Sequence, residues 1–266
     1  MISVGNNRKH CVICGQEQKF SFAAIALLIY KFDVFFCQNC GFLQVHNPVW
    51  LVEAYSDAIA SCDTGLVARN LSLAARLRPL LFYLFGNDGC YADYAGGTGL
   101  FVRLMRDAGY DFFWKDPYCN NIHARGFEFK NGVKCRAVTA FEVLEHLVEP
   151  VEFITNIFQE TGAEVLIFTT ELFFGAPPKP DEWWYYSFET GQHISFYQIK
   201  TLEMLAERLN LEFYSFNGVH FFSKASLIDK LKRYHGSSLV RQLVRYKSLR
   251  MLKPKTMPDH LYLRDM

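Results

Sequence analysis

The apolar positions of the chain follow two different periods. Between residues 48 and 86 they recur every three or four positions, as on one face of an amphipathic helix, and Asp63-Thr64-Gly65 divides this region into two stripes. From residue 87 onward, short apolar runs of strand character alternate with helical stretches. We therefore predict a helical bridge over 48–86, followed by an α/β domain over 87–223.

The α/β region divides into elements at its turn residues. Strands are predicted over 90–95, 111–114, 137–141 and 165–169, and helices over 100–108, near 118–125 and over 150–159. A helix over 200–209 and two aromatic-rich strands, 213–216 and 219–222, complete the domain. Strands that alternate with helices are typical of a parallel sheet, which is the arrangement we predict.

Composition narrows the class of protein. Of 266 residues half are apolar and 21% are charged, which suits a globular core and excludes a disordered or collagen-like chain. The net charge of +1 gives no overall preference for nucleic acid or anionic membranes. The longest apolar run, 20–30, is shorter than the ~20 residues of a spanning helix, and no leader-like apolar segment precedes it. We therefore expect a cytoplasmic protein without an integral membrane segment.

Four cysteines near the N-terminus form two pairs with the same spacing. Each pair has two intervening residues and a glycine directly after it; the cysteines are Cys11, Cys14, Cys37 and Cys40. Two such turns can direct four thiolates at one tetrahedral zinc ion. A redox pair or a chance arrangement would account less well for two matched pairs within 30 residues. We predict a zinc ribbon over 1–47, with structural Zn²⁺.

A glycine turn opens the α/β domain. The segment Asp93-Tyr94-Ala95-Gly96-Gly97-Thr98-Gly99 follows a predicted strand and precedes a predicted helix, where exposed amides favour an anionic group of a ligand. Asp116 lies 17 residues after Gly99, at the end of the next strand, where a carboxylate can accept both hydroxyls of a ribose. The pattern predicts a nucleoside cofactor. Asp93 would repel a pyrophosphate and tolerate a sulfonium, which favours S-adenosylmethionine over a dinucleotide.

Asp93-x-Ala95-x-Gly97-x-Gly99 resembles motif I of class I methyltransferases, with Ala95 in place of the usual first glycine. The resemblance implies a Rossmann-like, mostly parallel sheet with an antiparallel last strand, and S-adenosylmethionine as methyl donor. It also implies a set of cofactor-binding residues: Asp93, Ala95, Gly96, Gly97, Gly99, Asp116, Pro117 and Phe141.

Three further segments extend the resemblance over most of the chain. The sequence 141–147 (FEVLEHL) resembles the end of the fourth strand of this superfamily, where methyl donor and acceptor meet. Segments 181–186 and 191–197, together with the cysteine pairs and 63–66, resemble a bacterial methyltransferase group often associated with surface-glycan biosynthesis. This likeness implies a small-molecule or glycan acceptor.

Four residues are candidates for catalysis: Glu142, Glu145, His146 and His193. They resemble the Glu-x-x-Glu-His set, with a distant histidine, that holds a divalent cation in small-RNA 2′-O-methyltransferases. On that interpretation Mg²⁺ or Mn²⁺ would activate a hydroxyl. The alternative is a metal-free pocket in which His146 is the general base.

Two other surfaces are open to more than one interpretation. Four adjacent aromatic residues, Trp183, Trp184, Tyr185 and Tyr186, follow a proline-rich entry and suit a substrate lid or an apolar contact with the ribbon. The tail over 224–266 has eleven Lys and Arg against three Asp, and we predict a basic helix there. A solvated helix face is the simpler interpretation, and this one basic patch could also bind an anionic glycan carrier, a membrane surface or RNA.

These features together predict an S-adenosylmethionine-dependent methyltransferase that O-methylates a sugar or nucleotide-sugar hydroxyl. C-methylation of a keto-deoxysugar is the alternative reaction. A third hypothesis is an RNA- or partner-binding module with a vestigial cofactor pocket, for which the replacement at Ala95 is the best support.

Overall fold

The computed structural model describes residues 10–56, 59–60, 62–224 and 227–266. The strands are β1 (Lys19–Ala26), β2 (Tyr30–Phe36), β3 (Leu43–Val45), β4 (Cys90–Tyr94), β5 (Asp111–Lys115), β6 (Cys135–Phe141), β7 (Val165–Thr169), β8 (Ser195–Phe196), β9 (Glu212–Phe216) and β10 (Val219–Ser223). The helices are α1 (Leu51–Ala54), α2 (Leu66–Phe85), α3 (Leu100–Asp107), α4 (Pro150–Thr161), α5 (Ile199–Arg208), α6 (Ile228–Gly236), α7 (Ser238–Met251) and α8 (Thr256–Arg264).

The described residues form two compact units, and each is discontinuous in sequence. One contains residues from 1–60, 142–156 and 168–220, and the other contains residues from 61–141, 157–167 and 221–266. We call them the ribbon unit and the glycine-turn unit. Residues 1–9 of the predicted ribbon, 57, 58 and 61 of the predicted bridge, and 225–226 of the predicted tail lie outside the described residues.

The ribbon unit is built on an antiparallel sheet in the order β1-β2-β3-β8. In β2 the apolar residues Phe32 and Val34 are buried while Lys31 and Asp33 between them are exposed, as expected of a strand with one face on a core. The indole Nε1 of Trp50 donates a hydrogen bond to a main-chain carbonyl across this core. The core therefore joins segments that are far apart in sequence.

The second sheet has six strands in the order β5-β4-β6-β7-β10-β9. Strand β4 pairs in parallel with β5 and with β6, so Asp93 has Trp114 and Thr139 as its neighbours. Asn217 and Gly218, with φ of 50° and 73°, join β9 to β10 in a two-residue turn that favours a hairpin. The prediction of an α/β fold with a mostly parallel sheet of the class I methyltransferase type is confirmed.

Two predicted helical regions differ from the structure. The first stripe of the bridge is helical over a single turn, α1, whereas the second forms the long helix α2. No helix forms near 118–125. There the Asp116 carboxylate accepts hydrogen bonds from the amides of Tyr118 and Cys119. The next amides, of Ile122 and His123, donate to the Thr98 carbonyl in place of the helical partners four residues earlier, so no helix is built. Among the helices of the described residues, none has the length and apolarity to span a bilayer.

Candidate functional site

The four paired cysteines lie together in the ribbon unit. Their Sγ atoms are all within 4.8 Å of one another, with Cys11 and Cys40 at 3.5 Å and Cys14 and Cys37 at 3.4 Å. Zinc–sulfur bonds of about 2.3 Å in a tetrahedron separate the sulfurs by about 3.8 Å, so the set fits a closed zinc site after small adjustments. The hydrogen bond between the Cys11 and Cys40 thiols lowers the pKa of Cys11 and raises that of Cys40, so without a cation the cluster favours one thiolate and the others need the metal's charge to lose their protons.

Glycines shape the turn between β4 and α3. Gly99 has a φ of 82°, and a Cβ there would lie 2.7 Å from the Asn121 side-chain oxygen, so only glycine fits without displacement. At Gly96, an added Cβ would lie 2.8 Å from a carboxylate oxygen of Asp93. Ala95 also has a positive φ, 54°, which costs about 1–2 kcal/mol for a residue with a Cβ. Ala95, which replaces the usual glycine, therefore keeps the backbone conformation of the motif at the cost of local strain.

Asp116 connects the glycine turn to the loop after β5. Its Oδ2 accepts a hydrogen bond of 2.8 Å from the Gly97 amide, and its Oδ1 accepts from the two loop amides described above. A carboxylate oxygen has more than one acceptor site, so Oδ2 can also accept a ribose hydroxyl. Pro117, next in the chain, is exposed, while Phe141 packs edge-on against Phe101 with ring centroids 4.9 Å apart.

Asp93 is a buried carboxyl group beneath this turn. Its side chain accepts a hydrogen bond of 2.5 Å from the Thr139 hydroxyl. Burial, reinforced by the nearby charge of Asp116, raises the pKa of Asp93 to about 7. A buried carboxylate without a cationic partner is costly, and the ammonium group of a bound amino acid would relieve that cost. Thr139 was not a sequence candidate, since a threonine inside an apolar strand carries no distinguishing signal.

A second polar cluster lies in the ribbon unit. Glu145, His146 and His193 each offer a ligand atom within 4.8 Å of the others, and the two imidazole rings meet edge-on at 4.9 Å. The Ile194 amide donates to the Glu145 carbonyl at 2.8 Å, which brings His193 beside a segment 47 residues earlier in the chain. The structure therefore brings together three of the four residues predicted to be catalytic.

Backbone carbonyls orient both histidines. Nδ1 of His146 lies 3.1 Å from the Gln192 carbonyl oxygen, and Nδ1 of His193 lies 2.6 Å from the Tyr185 carbonyl oxygen. A carbonyl can only accept, so each Nδ1 carries the proton and each Nε2 presents a lone pair. The same arrangement positions histidine ligands in many metal sites.

The cluster is half-buried, with Glu145 fully enclosed, and it has a low charge. Burial, with the charge of Glu142, raises the pKa of Glu145 to about 8, and neither carboxylate oxygen of Glu145 has a hydrogen-bond donor in good geometry among the described residues. Burial and His193 lower the pKa of His146 to about 3. The site thus holds two neutral imidazoles and a carboxyl group near the hydroxyls of Tyr185 and Thr170, a donor set that fits one divalent cation.

Glu142 is not part of the cluster of three. It follows β6 with a φ of 53°, and its Oε1 accepts a hydrogen bond of 2.6 Å from the Thr169 hydroxyl. The same hydroxyl accepts a hydrogen bond from the Glu142 amide at 3.0 Å. Thr169 lies at the end of β7 and was not predicted, because only the pairing of distant strand ends brings it to Glu142.

Residues 67–215, more than half of the chain, match the model of a protein family described as a methyltransferase domain. The chain belongs to this methyltransferase family. The prediction of an S-adenosylmethionine-dependent methyltransferase is confirmed at the level of the enzyme class.

Solved structures similar to this methyltransferase include enzymes that act on different acceptors. A 1,6-didemethyltoxoflavin N1-methyltransferase from Burkholderia thailandensis is 12% identical, with 73% of this chain and 95% of that one covered at a TM-score of 0.49. Magnesium protoporphyrin IX methyltransferase from Synechocystis is 12% identical, with 66% and 93% covered at 0.43. An O-methyltransferase family 2 protein from Planctomyces limnophilus is 13% identical, with 65% of each chain covered at 0.42. The chain matched none of the curated proteins with which it was compared. Likeness at this level does not indicate which acceptor the enzyme uses.

The aromatic segment of the methyltransferase is divided between core and surface. Tyr185 and Tyr186 are 1% exposed and belong to the apolar core of the ribbon unit, and the Tyr186 hydroxyl donates to the Pro178 carbonyl at 2.7 Å. Trp183 packs edge-on against Tyr186 with centroids 4.9 Å apart. Only Trp184, which is 78% exposed, presents its ring to solvent. The two tyrosines therefore pack against the ribbon strands, as the alternative to a lid predicted. Of the four aromatic residues, Trp184 is the one whose exposed ring could stack on a ligand.

Asp93→Asn is expected to change how stability depends on pH. The folded chain keeps the Asp93 proton up to about pH 7, whereas an unfolded chain releases it near its ordinary pKa of 3.8. As the pH rises between these two values, this one group should therefore lower the free energy of unfolding of the wild type by up to about 1.4 kcal/mol per pH unit. Asparagine keeps the bond to Thr139 without a titratable proton. The variant's unfolding free energy should exceed that of the wild type by a margin that grows between pH 5 and 7 and then stays constant.

Urea unfolding of both proteins at several pH values would measure this margin. Asp88→Asn, at an exposed position before β4, is the matched control for the loss of one carboxyl group. A margin for Asp93→Asn that did not vary between pH 5 and 7 would contradict the raised pKa.

Proposed function

We propose that this methyltransferase transfers the methyl group of S-adenosylmethionine to a hydroxyl oxygen of a sugar or nucleotide-sugar. The observation that carries the proposal is the Glu145–His146–His193 cluster, in which Glu145 is buried and both histidines are half-buried. A neutral hydroxyl is a poor nucleophile, and its proton must leave as the oxygen–carbon bond forms and the carbon–sulfur bond breaks. An enzyme for such an acceptor needs a group that accepts or displaces this proton.

The glycine turn has the features required to hold the methyl donor. The buried Asp93 carboxyl suits the cationic amino group of the donor, and Asp116 suits the ribose hydroxyls. The amides at the start of α3 add the positive end of a helix, which suits the donor's carboxylate. These roles rest on the resemblance to motif I together with the burial and hydrogen bonding of each residue.

Two arrangements of the catalytic cluster serve the same reaction. In the first, Glu145 and the Nε2 atoms of His146 and His193 hold a divalent cation such as Mg²⁺ or Mn²⁺, which would lower the pKa of the acceptor hydroxyl. In the second, His146 accepts the proton at Nε2. Burial lowers the pKa of His146, which weakens it as a base, and the three ligand atoms within 4.8 Å of one another suit a cation, so chelation is the measurement that separates the two arrangements.

C-methylation of a keto-deoxysugar is the second candidate reaction. Glu145, whose pKa of about 8 is close to working pH, has the basicity needed to remove a proton from the carbon beside a carbonyl group. The methyl group would then be attached to carbon. The two reactions differ in the product, which makes product analysis the decisive measurement.

Incubation with S-adenosylmethionine labelled in its methyl group, against a panel of nucleotide-sugars, tests the proposal. We expect label in a sugar product whose NMR spectrum shows an O–CH₃ signal. A C–CH₃ signal would favour the keto-deoxysugar reaction and contradict the O-methylation proposal.

Asp116→Ala provides the matched variant, since it removes the ribose acceptor. Calorimetry should show binding of S-adenosylmethionine weakened by about 1.5–3 kcal/mol, roughly 10- to 150-fold, while Asp88→Ala binds as the wild type does. Absence of measurable binding to the folded wild-type chain would support the vestigial-pocket hypothesis and refute methyl transfer.

A further inference from the structure

The outer face of helix α7 is apolar, although it points away from the protein. We use the name α7 outer face for Leu239, Leu243, Tyr246 and Leu249, which are 74%, 53%, 53% and 55% exposed. Their spacing places them on one side of the helix. A monomeric protein seldom leaves a continuous row of large apolar side chains in water unless the row binds something.

Contacts on the opposite side fix the orientation of this helix. Val244 and Ser248 are buried, and a guanidinium nitrogen of Arg78 in α2 donates to the Ser248 carbonyl at 3.3 Å. The Ser237 side chain caps the N-terminus by accepting from the Val240 amide. The helix is therefore anchored by one face, and the exposure of the other is a property of the folded unit.

The charges on α7 are all of one sign. The helix carries Arg241, Arg245, Lys247 and Arg250 and has no Asp or Glu. Arg250 lies 4.5 Å from the centroid of the Tyr246 ring, so its charge borders the α7 outer face directly. A row of leucines with basic residues beside it matches a surface that is apolar below and anionic above.

We propose that the α7 outer face docks on an anionic lipid bilayer, with the helix lying in the plane of the interface. The leucines would enter the boundary between headgroups and acyl chains, and the basic side chains would contact lipid phosphates and carboxylates. With 14 residues, α7 is about 21 Å long, too short to cross a hydrocarbon core of about 30 Å. This inference concerns where the enzyme acts and does not depend on the identity of the acceptor.

Charge and composition disfavour two other occupants. A second copy that packed its own α7 against this face would oppose four cations to four cations across a two-fold axis. RNA would use the basic residues, but it would gain nothing from three exposed leucines, because phosphate contacts are made by charged and polar groups. A lipid surface, unlike either of these, uses both features of the face.

Flotation with lipid vesicles tests the proposal on the full chain. We expect binding to phosphatidylcholine vesicles that contain phosphatidylserine, and little binding to phosphatidylcholine alone. Raising the salt concentration to 0.5 M should weaken binding, since the attraction to headgroups is screened. Equal binding to both vesicle types, or no binding to either, would overturn the inference.

Two double variants separate the apolar and the electrostatic parts. Leu239→Ser with Leu243→Ser should reduce the partition coefficient about tenfold, because the inserted side chains are lost. Arg245→Gln with Lys247→Gln should reduce it about 30-fold, from about 1 kcal/mol for each charge near the surface.

Matched substitutions on other exposed positions are the controls. Val67→Ser with Leu71→Ser removes two apolar side chains at the same spacing from α2, and Lys130→Gln with Lys134→Gln removes two charges from a loop. Both controls should bind vesicles as the wild type does. Binding to a polyribonucleotide that depended on Arg245 and Lys247 but not on the leucines, without vesicle binding, would identify RNA as the partner and refute the lipid proposal.

Discussion

Cys37→Ser is expected to lose bound zinc and thermal stability together. Purified wild-type chain should contain about one zinc ion, because closed sites of four thiolates bind zinc with about 10–16 kcal/mol. Cys37 is buried among the other three sulfurs, so serine leaves the ion with an incomplete coordination shell. Zinc content by atomic spectroscopy and the thermal unfolding midpoint should fall in the same preparation.

Cys62→Ser is the control for this experiment. Cys62 is exposed and does not belong to the four-cysteine cluster, so its replacement should leave zinc content and stability unchanged. Full zinc occupancy in a Cys11→Ser and Cys37→Ser double variant would contradict the assignment of the site. That outcome would leave the cysteines as packing residues of the ribbon core.

His146→Ala is expected to slow methyl transfer by about 10²–10⁴-fold. The acceptor for this measurement is the nucleotide-sugar that becomes labelled in the panel described above. His146 belongs to both proposed arrangements, since its Nε2 is either a cation ligand or the base. Binding of S-adenosylmethionine should change little, because the loss concerns the acceptor proton. Steady-state rates with the labelled donor, together with calorimetry, measure the two quantities separately.

Chelation distinguishes the two arrangements. If a cation is held by Glu145, His146 and His193, a chelator should abolish turnover, and Mg²⁺ or Mn²⁺ should restore it with zinc content unchanged. If His146 acts as the base alone, turnover should survive the chelator. His123→Ala, at an exposed position outside the cluster, is the control and should retain the wild-type rate. Wild-type rates in both His146→Ala and Glu145→Gln would refute both arrangements.

The local motifs of this chain were readable from sequence. The cysteine pairs and the glycine turn depend on residues a few positions apart, whose spacing and backbone preferences are fixed by the chain itself. The alternation of strands and helices also follows from local periodicity, and it predicted the fold class. The same reasoning failed near 118–125, where the amides of Ile122 and His123 donate to the carbonyl of Thr98, a residue of the glycine turn, and not to helical partners.

The polar partners of the site were decided by tertiary structure. Thr139 reaches Asp93 because β4 and β6 are neighbours in register, and Thr169 reaches Glu142 across 27 positions of sequence. His193 meets His146 only because the chain returns to pair Ile194 with Glu145. The spacing of apolar and polar residues along the sequence does not predict such contacts, since they result from the packing of whole strands and helices.

The sequence determined which aromatic and charged side chains are present, but only the tertiary structure determined which of them are buried. The sequence supplied four adjacent aromatic residues and a carboxylate beside a histidine, and their chemistry was evident from their identity. Which of them face solvent depends on the core: Tyr185 and Tyr186 are enclosed, Trp184 is not, and Glu145 is enclosed. The pKa shifts of the cluster follow from that enclosure, because removal of water penalises charge, and only the folded chain removes the water.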